Sequence, residues 1–507
     1  MTKQKKLRGM ISAITTAGML CAMPAGFAAE ATPTAAAQVT EQTATAAPAQ
    51  QTSKPFATVR VGKKWGAVAP SGSLVIPAEY DEIASYSADA VAVRQGKNWG
   101  IVRLDGTVIV PAIYKAIHPL AADTIIVQNT KDMYGAYDTA GNVLLPVEYR
   151  SVTPFYDGIS RVERKDKKFV FYRRDGSLLT SDAYLWASRF SEGLAVVEPT
   201  KNKMGYIDTN GSEAIPVQFE NAMIFQEGLA PVAVKKKWGF IDKSGTMVIQ
   251  PQFRAKSIGG FSDGLAMIKE KKHWAFIDKT GAKVIQTRYE DVDSFENGLA
   301  EVRREVKVGL LGGFLTSAVS FATGIPTFGV GTDLIGEKVK RGYIDKTGAE
   351  IISTKNDYNS FFFGGVALVR VKSKWGMVDR KGAYVVEPKY KGIHFFYDDL
   401  AAVQDGDKWG FVGRDGKIVI EPKYDEVHDF TDGIAAVRQG GKSFFIDKTG
   451  RVPFLLPNNI TDIGMFRDGF APVKIGDKWG FIDKTGTVVI PPAYTEVRTH
   501  QVTTDSL

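Results

Sequence analysis

A phrase centred on Trp-Gly recurs along most of the chain and constrains its fold more than any other feature. Its clearest copies are Trp238-Gly-Phe-Ile-Asp-Lys-Ser-Gly245 and Trp479-Gly-Phe-Ile-Asp-Lys-Thr-Gly486. Ten of the eleven intervals between successive copies measure 34, 35 or 36 residues, and one measures 67. The Trp position is occupied in order by Trp65, Trp99, Tyr134, Phe169, Met204, Trp238, Trp274, Arg341, Trp375, Trp409, Ser443 and Trp479. Such a fixed period predicts a tandem array of about twelve repeats.

Each copy has the local pattern of an antiparallel β-meander. Leu229-Ala-Pro-Val232 and the Trp-Gly phrase alternate in size and polarity, and Thr487 to Ile490 form a short β-branched run. The Asp-Lys-Thr-Gly sequence suits a type I turn whose Gly adopts a left-handed conformation. Prolines such as Pro77 are expected to end the third strand, since they cannot donate to a ladder. The sequence therefore predicts an all-β chain of three-stranded meanders, each followed by a short return segment.

Neighbouring meanders must share their apolar faces, because one three-stranded meander is marginally stable alone. The predicted structural anchors of this shared core are Trp65, Trp99, Trp238, Trp274, Trp375, Trp409 and Trp479. The array begins with a first-type strand at residues 57–61 and ends after a return segment at Val497, so no strand is left over to close a ring. Closed propellers usually hold four to eight blades. We therefore expect an open twisted β-repeat stack, with β-propeller-like rings as the alternative.

The first 29 residues have the three-part pattern of a secretory signal peptide: a basic start, an apolar stretch and a small-residue cleavage region. Residues 30–55 are rich in Ala, Thr, Pro and Gln, a composition that predicts a disordered linker. Cys21 is the only cysteine and lies within the predicted signal. The mature chain would then have neither a disulfide nor a thiolate metal site. We expect export to the periplasm, the cell surface or the extracellular medium.

The repeats divide the rest of the chain around one insertion. Repeats 1–7 and the first strand of repeat 8 occupy residues 56–303, the insertion spans 304–340, the remaining repeats span 341–498, and 499–507 form a tail. Residues 308–332 carry no charged side chain. Such an apolar hairpin tip either contacts a membrane or a partner or folds back over the array. The candidate contact residues are Leu310, Leu311, Phe314, Leu315 and Val319.

Motifs for catalysis and metal binding are missing from the sequence. The five His residues are scattered, and no nucleophile elbow, phosphate loop or dinucleotide fingerprint occurs. The Asp-Lys-Thr-Gly turn supplies one carboxylate, whereas calcium takes six to eight oxygen ligands. We therefore expect no enzymatic activity, no catalytic or metal-binding residues and no cofactor. The net charge of +8 falls to +4 without the first 29 residues, which does not indicate a nucleic-acid partner.

The motif Lys-Trp-Gly-Phe-Ile-Asp-Lys-Thr-Gly, followed by Val-Ile-Pro-Pro-x-Tyr and Phe-x-x-Gly-Leu-Ala, resembles the WG (Trp-Gly, KWG-type) β-repeat family of bacteria. The resemblance covers about Phe56 to Val497. It implies repeat arrays that are often secreted or envelope-associated, without a shared enzymatic activity and without catalytic residues to carry over.

These observations lead us to expect an exported scaffold that binds another macromolecule, in the first place a protein, in the bacterial envelope or outside the cell. The alternative is a cell-wall or polysaccharide-binding module that uses aromatic stacking. Buried Trp rings would favour the scaffold, and exposed coplanar rings would favour the glycan. Trp186 lies outside the Trp-Gly grid and is the candidate surface aromatic residue.

Overall fold

The computed structural model describes residues 57–305 and 339–498. Within these ranges the regular secondary structure consists of 46 strands, β1 to β46, in twelve small antiparallel sheets. We call the sheets blades 1 to 12 in chain order. A regular blade has four strands, here named a, b, c and d in the order of their pairing. The all-β prediction and the tandem repeat are therefore confirmed.

The first six blades have these strand bounds. Blade 1 contains β46 (Glu496–Arg498), β1 (Ala57–Val61), β2 (Lys64–Val68) and β3 (Leu74–Tyr80); blade 2 contains β4 (Glu82–Ser85), β5 (Ala90–Gln95), β6 (Asn98–Arg103) and β7 (Val108–Tyr114). Blade 3 contains β8 (Ala116–Ile117), β9 (Thr124–Gln128), β10 (Tyr134–Asp138) and β11 (Val143–Tyr149); blade 4 contains β12 (Ser151–Val152), β13 (Ile159–Glu163) and β14 (Phe169–Arg173). Blade 5 contains β15 (Trp186–Ala187), β16 (Leu194–Thr200), β17 (Lys203–Asp208) and β18 (Glu213–Phe219); blade 6 contains β19 (Asn221–Ala222), β20 (Leu229–Val234), β21 (Lys237–Asp242) and β22 (Met247–Phe253).

The last six blades follow the same plan. Blade 7 contains β23 (Ser257–Ser262), β24 (Leu265–Glu270), β25 (His273–Ile277) and β26 (Lys283–Gln286); blade 8 contains β27 (Asp291–Val292), β28 (Leu299–Glu305), β29 (Val339–Asp345) and β30 (Glu350–Ile352). Blade 9 contains β31 (Tyr358–Phe363), β32 (Val366–Val371), β33 (Lys374–Asp379) and β34 (Tyr384–Tyr390); blade 10 contains β35 (Gly392–Ile393), β36 (Leu400–Asp405), β37 (Lys408–Gly413) and β38 (Ile418–Tyr424). Blade 11 contains β39 (Glu426–Val427), β40 (Ile434–Gln439) and β41 (Lys442–Asp447); blade 12 contains β42 (Ile460–Ile463), β43 (Phe470–Ile475), β44 (Lys478–Asp483) and β45 (Val488–Tyr494).

The return segment of each repeat is strand a of the following blade. The last return segment, β46, therefore pairs with β1 of blade 1, with Val59 opposite Val497 and Arg60 opposite Glu496. Blade 12 also packs on blade 1, since Val59 and Phe481 share one buried cluster. The expectation of an open stack is wrong: the twelve blades form one ring, and its closing strand is a return segment only three residues long.

The glycine of Trp-Gly is required by the close approach of strand d. A Cβ atom at Gly239 would lie 2.4 Å from the carbonyl oxygen of Ile249, a separation that packed atoms cannot adopt. Opposite this glycine the register shifts, because Trp238 pairs with Phe253 while Phe240 pairs with Ile249. The wide bulge accommodates Pro251 inside strand d. The expectation that prolines end the third strand is therefore wrong, since strand d continues beyond them to its terminal aromatic residue.

Blades whose sequence lacks this glycine have a shortened or missing strand d. Val170 and Phe444 stand at the glycine position in blades 4 and 11, and these are the two blades with three strands. Ala275 stands there in blade 7, whose strand d has only the four residues Lys283–Gln286. In blades 4 and 11 a side chain at this position occupies the space of the bulge, which accounts for the missing strand d. Blade 8 keeps Gly342 but its strand d has only the three residues Glu350–Ile352, so the glycine alone does not set the length of this strand.

Aromatic pairs between neighbouring blades form the centre of the core. The residue two positions after the Trp position packs on a Phe that lies near the end of strand a, or just after it, in the next blade. Ring centroids lie 5.0 Å apart for Phe240 and Phe261 and 4.7 Å apart for Phe411 and Phe430. The same contact recurs in Phe171–Phe190, Tyr206–Phe225, Phe276–Phe295 and Phe445–Phe466. Buried aromatic rings therefore join neighbouring blades at these six boundaries.

Candidate functional site

Trp rings of the repeat lie at the boundaries between blades, with different degrees of burial. Trp65, Trp274 and Trp375 are buried, whereas Trp99, Trp238, Trp409 and Trp479 are half-buried. Trp375, for example, belongs to a cluster with Ile393 of the following blade. Most of the Phe residues that pack on the preceding blade, such as Phe225, Phe295 and Phe430 at 0% exposure, are buried more completely than these Trp residues. The shared core therefore depends on the Phe positions at least as much as on Trp.

A cation covers one face of several of these Trp rings. It belongs to the residue directly opposite Trp on strand b, as in the pairs Arg94–Trp99 and Arg370–Trp375. The guanidinium carbon lies 5.8 Å from the centroid of Trp99 and 5.7 Å from that of Trp375. Lys269 lies over Trp274 and Lys474 over Trp479 in the same way. Such cation–π contacts occupy the ring face on which a sugar would stack.

Trp186 occupies a regular position of the repeat, although it lies outside the Trp-Gly grid. It is the first residue of β15, the strand a of blade 5, and pairs with Glu198. Trp186 is 37% exposed, which agrees with its selection as the candidate surface aromatic residue. Its position, however, belongs to the repeat.

Candidate contact residues in the insertion, Leu310, Leu311, Phe314, Leu315 and Val319, lie outside the described residues. The hairpin that carries the insertion is described: Arg303 pairs with Arg341, and the ladder continues to Glu305 and Val339. The insertion therefore starts and ends beyond this last pair. The signal peptide, the linker and the tail of the sequence analysis also lie outside the described residues.

The ring has two faces with different turns, because in an antiparallel meander the a–b and c–d turns lie at one end of the strands and the b–c turns at the other. On the first, which we call the glycine-turn face, the a–b turns are linked from blade to blade. The amide of Gly228 donates to Glu192 at 3.1 Å, and that of Gly298 donates to Asp263 at 2.6 Å. Lys243 adds an ion pair with Glu192 at 3.1 Å. These carboxylates join neighbouring turns and are occupied by structural contacts.

The c–d turns of the glycine-turn face are closed by their Asp. Gly245 has φ +84° and donates to the carbonyl of Asp242 at 2.9 Å, as the type I turn with a left-handed Gly predicts. In blade 12 the hydroxyl of Thr485 and the amide of Thr487 donate to the Asp483 carboxylate at 2.6 and 3.1 Å. The Thr485 hydrogen bond contributes most to lowering the pKa of Asp483. Among the described residues, no group of three or more acidic, His or Cys side chains is placed to hold a metal ion.

The opposite face, which we call the lysine face, carries the b–c turns. A two-residue turn such as Lys235-Lys236 has positive φ at both positions, 50° and 61°, as in a type I′ hairpin. On several blades an acidic residue neutralises the turn lysine, as in Lys64–Asp81 at 2.7 Å and Lys408–Asp425. Other turn lysines, such as Lys97, Lys372 and Lys442, make no ion pair within the described residues either, but the unpaired lysines of blades 5, 6 and 7 occupy three consecutive turns. Within the described ranges the side chains of Lys201, Lys203, Lys235, Lys236, Lys237, Lys271 and Lys272 make no ion pair in the structure.

Blade 11 has a cavity at the position where seven other blades hold a Trp ring. Ser443 occupies the Trp position, and the cavity of about 80 Å³ is lined by Ser443, His428, Arg438, Glu426, Asp462 and Ile463 together with Ala436 and Val437. Arg438 lies directly opposite Ser443 on strand b, and its guanidinium approaches Glu426 at 3.4 Å. His428, Glu426, Arg438 and Asp462 are exposed, so the cavity is open to solvent. The sequence signal for this cavity is the replacement of Trp by Ser at position 443.

One His–Asp contact lies nearby. Nδ1 of His394 is 2.8 Å from Oδ1 of Asp429, and the imidazole packs against Trp409 with ring centroids 5.1 Å apart. No Ser, Thr or Cys side chain of the described residues is hydrogen-bonded to His394. This contact joins blades 10 and 11 and lacks a nucleophile.

In the described part of the chain no helix is long and apolar enough to span a membrane.

Comparison with known proteins gives a family but no functional relative. No curated protein matches the chain significantly. Similar solved structures include a eukaryotic initiation factor, with 12% identity over 88% of this chain and 97% of that chain and a TM-score of 0.33. They also include BamB from Moraxella catarrhalis, with 9% identity, 59% and 91% coverage and a TM-score of 0.28. A third is PorZ, a surface component of the type-IX secretion system of Porphyromonas gingivalis, with 10% identity, 86% and 80% coverage and a TM-score of 0.23. At these TM-scores the likeness carries no functional inference.

The family resemblance noted in the sequence is confirmed. Eleven stretches match the model of the WG containing repeat: 65–99, 99–130, 134–169, 204–238, 238–272, 274–305, 342–375, 375–409, 409–442, 444–479 and 479–499. Together these stretches cover more than half of the chain. The chain therefore belongs to the WG-containing repeat family.

Proposed function

We propose that this protein is an exported, non-enzymatic scaffold that binds another protein through the lysine face of its ring. Export is supported by the signal-like first 29 residues. The observation that carries the binding proposal is the continuous run of lysines in the b–c turns of blades 5, 6 and 7. Lys235, Lys236, Lys271 and Lys272 are exposed and have no acidic partner within the described residues. A partner with an acidic surface would supply the missing opposite charges.

The proposal of a non-enzymatic role is supported by the positions of Asp and Tyr side chains with shifted pKa, which lie in turns and in the core. The Asp residues with lowered pKa, such as Asp242 and Asp483, accept hydrogen bonds within their own turns. The Tyr residues with raised pKa, such as Tyr206, are buried in the core. General acid–base catalysis needs a titratable group that faces a substrate, and these groups face the protein's own turns and core.

The arrangement of the Trp rings supports a protein-binding scaffold over the polysaccharide-binding alternative. A sugar stacks on a free aromatic face, whereas cations lie over Trp99, Trp375 and other rings of the repeat. The half-buried rings also point into separate blade boundaries and pack on neighbouring clusters, as Trp238 and Trp409 do.

A pull-down from envelope extract tests the proposal. The bait is the mature protein, compared with a variant that combines Lys235→Glu with Lys271→Glu. A matched control combines Lys381→Glu with Lys417→Glu, which changes the net charge equally on the glycine-turn face. We expect the wild type and the control to retain equal amounts of the same protein partner. The lysine-face variant should retain at least ten-fold less of that partner. Equal retention by all three proteins, or retention of glycan alone, would contradict the proposal.

The insertion adds a second contact to the proposed binding face. Its hairpin is the b–c turn of blade 8, so it leaves the ring on the lysine face, next to blade 7. We propose that residues 308–332 contact a membrane or the partner, because 25 uncharged residues at a polar tip need a covering surface. Replacing residues 306–338 by a Gly-Asn turn should leave the ring folded and abolish liposome flotation or partner retention. A folded variant that keeps both interactions would contradict this part of the proposal.

A further inference from the structure

Blade 11 differs from the other blades at one place that the repeat itself defines. In most blades the Trp position fills a space bounded by three groups: the residue opposite it on strand b, the residue after strand a, and an apolar residue of the next blade's strand a. Trp375 packs in this way on Ile393, and Trp65 packs on Ile83. In blade 11 the position belongs to Ser443, whose side chain is too short to reach across.

The groups that surround a Trp ring in sister blades are nevertheless present around Ser443. Arg438 holds the position from which Arg94 and Arg370 lie over Trp99 and Trp375. His428 holds the position of His394, which packs on Trp409, and Ile463 holds the apolar position in strand a of blade 12. The cavity therefore retains the stacking surfaces of an aromatic ring without the ring.

We propose that this cavity, the blade 11 slot, binds an indole-type aromatic ring supplied from outside the chain. The ring enters between Arg438 and His428 and packs against Ile463. Glu426 and Asp462 line the slot. Their carboxylates accept from Arg438 and from the amide of Ile463 and keep further lone pairs, so a ring that carries an N–H donor is favoured over one without it. In blade 7 the indole nitrogen of Trp274 likewise donates, to the carbonyl of Glu290 at 3.1 Å.

The size of the slot sets how deeply the guest enters. Its volume of about 80 Å³ is smaller than the engineered apolar cavity of about 150 Å³ that takes up benzene. An indole ring therefore enters the slot only in part, and the rest of the guest stays at its open mouth. Free indole-like compounds and the Trp side chain of a partner protein share this chemistry, and the inference holds whether or not the lysine face binds a protein.

Fluorine NMR of 5-fluoroindole with the full chain tests the slot without interference from the eight native Trp residues. We expect saturable broadening and a shifted resonance with the wild type and with Ser443→Ala, which leaves the slot open. Ser443→Trp should fill the slot and reduce binding at least ten-fold, and Ser443→Tyr serves as a second filling variant if the first does not fold. The N-methylated fluoroindole should bind at least three-fold more weakly than 5-fluoroindole.

A competition arm distinguishes the two sources of the ring. Displacement of 5-fluoroindole by a blocked Gly-Trp-Gly peptide would assign the slot to a partner's side chain, whereas displacement by free indole alone would assign it to a small aromatic compound. The proposal is overturned if 5-fluoroindole does not bind at millimolar concentration, or if it binds equally to Ser443→Ala and to a folded filling variant.

Discussion

Phe240 of blade 6 and Phe261 of blade 7 pack across the blade boundary with ring centroids 5.0 Å apart and an interplanar angle of 60°. Both side chains are essentially inaccessible to solvent, at 0% and 1% exposure. The same pair, formed by corresponding residues, recurs at other boundaries of the ring. The two rings therefore represent the contact by which one repeat stabilises the next, as expected for a repeat protein whose stability depends on nearest neighbours.

Removing one ring of this pair should destabilise both blades. We expect Phe261→Ala to lower the free energy of unfolding by about 3–5 kcal/mol, because it creates a cavity between two packed sheets. Denaturant unfolding measures the loss. Phe361→Ala is the matched control, since that side chain is 58% exposed. Equal small effects of both changes would show that the boundary rings do not hold the blades together.

Trp238 and Trp186 provide a second comparison, between a Trp at the repeat position and one at the surface. Trp238 packs against the cluster around Phe240, whereas Trp186 is one of the exposed large side chains. Trp238→Ala should cost about 3–5 kcal/mol and Trp186→Ala much less, because only the first leaves a void in a blade boundary. Equilibrium unfolding of the two variants decides this, and similar losses would indicate that the Trp-Gly positions are surface sites.

The glycine of the motif should be as sensitive as its Trp. Gly239→Ala would place a Cβ atom 2.4 Å from the Ile249 carbonyl oxygen, so strand d of blade 6 must separate from strand c. We expect a loss of about 1–3 kcal/mol, the usual cost of overpacking. Faster hydrogen exchange should appear in β21 and β22. Gly413→Ala is the control, because its nearest neighbours are side-chain atoms at 3.2 and 3.4 Å, and it should leave exchange in blade 10 unchanged.

The Asp residues of the c–d turns predict an acid-sensitive stability. The Thr485 hydroxyl, together with backbone amides, holds the pKa of Asp483 below its ordinary value of 3.8, and Thr449 acts in the same way on Asp447. A pKa that is lowered in the folded state stabilises the protein above the unfolded value, and this contribution is lost as the pH falls through the folded value. Unfolding midpoints should therefore drop below pH 4. The unfolding midpoint of Asp483→Asn should fall less below pH 4 than that of the wild type. The same fall in both proteins would show that the turn hydrogen bonds do not cause the acid sensitivity.

Sequence reasoning was most successful where one residue determines local geometry. The turn glycines such as Gly245, the paired b–c turns and the repeating strands could be predicted because their backbone requirements are local. The role of Gly239 could not be predicted, because the glycine is required by a bulge in the neighbouring strand d and not by its own local backbone. The same limit explains why Val170 and Phe444 were not recognised as residues that remove strand d.

Ring closure was missed for a different physical reason. Glu496 to Arg498 form a strand of three residues, and its partner lies more than 430 residues away in the sequence. Nothing in so short a segment distinguishes a closing strand from an unpaired return segment. The blade 11 slot was visible as Ser443 at a Trp position, but its lining needed the placement of His428 after β39, Arg438 on β40 and Ile463 on β42.

One engineered disulfide tests directly whether the twelve blades form a closed ring. Arg60 and Glu496 lie opposite each other in β1 and β46, with their side chains in an ion pair at 3.0 Å. Cross-strand neighbours have Cβ atoms about 4.5–5.5 Å apart, within reach of a disulfide after small adjustment. The sequence outside the first 29 residues contains no cysteine, so Arg60→Cys with Glu496→Cys introduces the only pair. Arg60→Cys with Glu426→Cys, which places the second thiol on blade 11, serves as the control.

The measurement is the intact mass and the non-reducing gel mobility of both proteins after mild oxidation at low concentration. The closed ring predicts nearly complete intramolecular disulfide formation between positions 60 and 496, with the fold retained, and none between positions 60 and 426. Free thiols or intermolecular dimers at positions 60 and 496 in a folded protein would contradict closure and return the chain to an open stack.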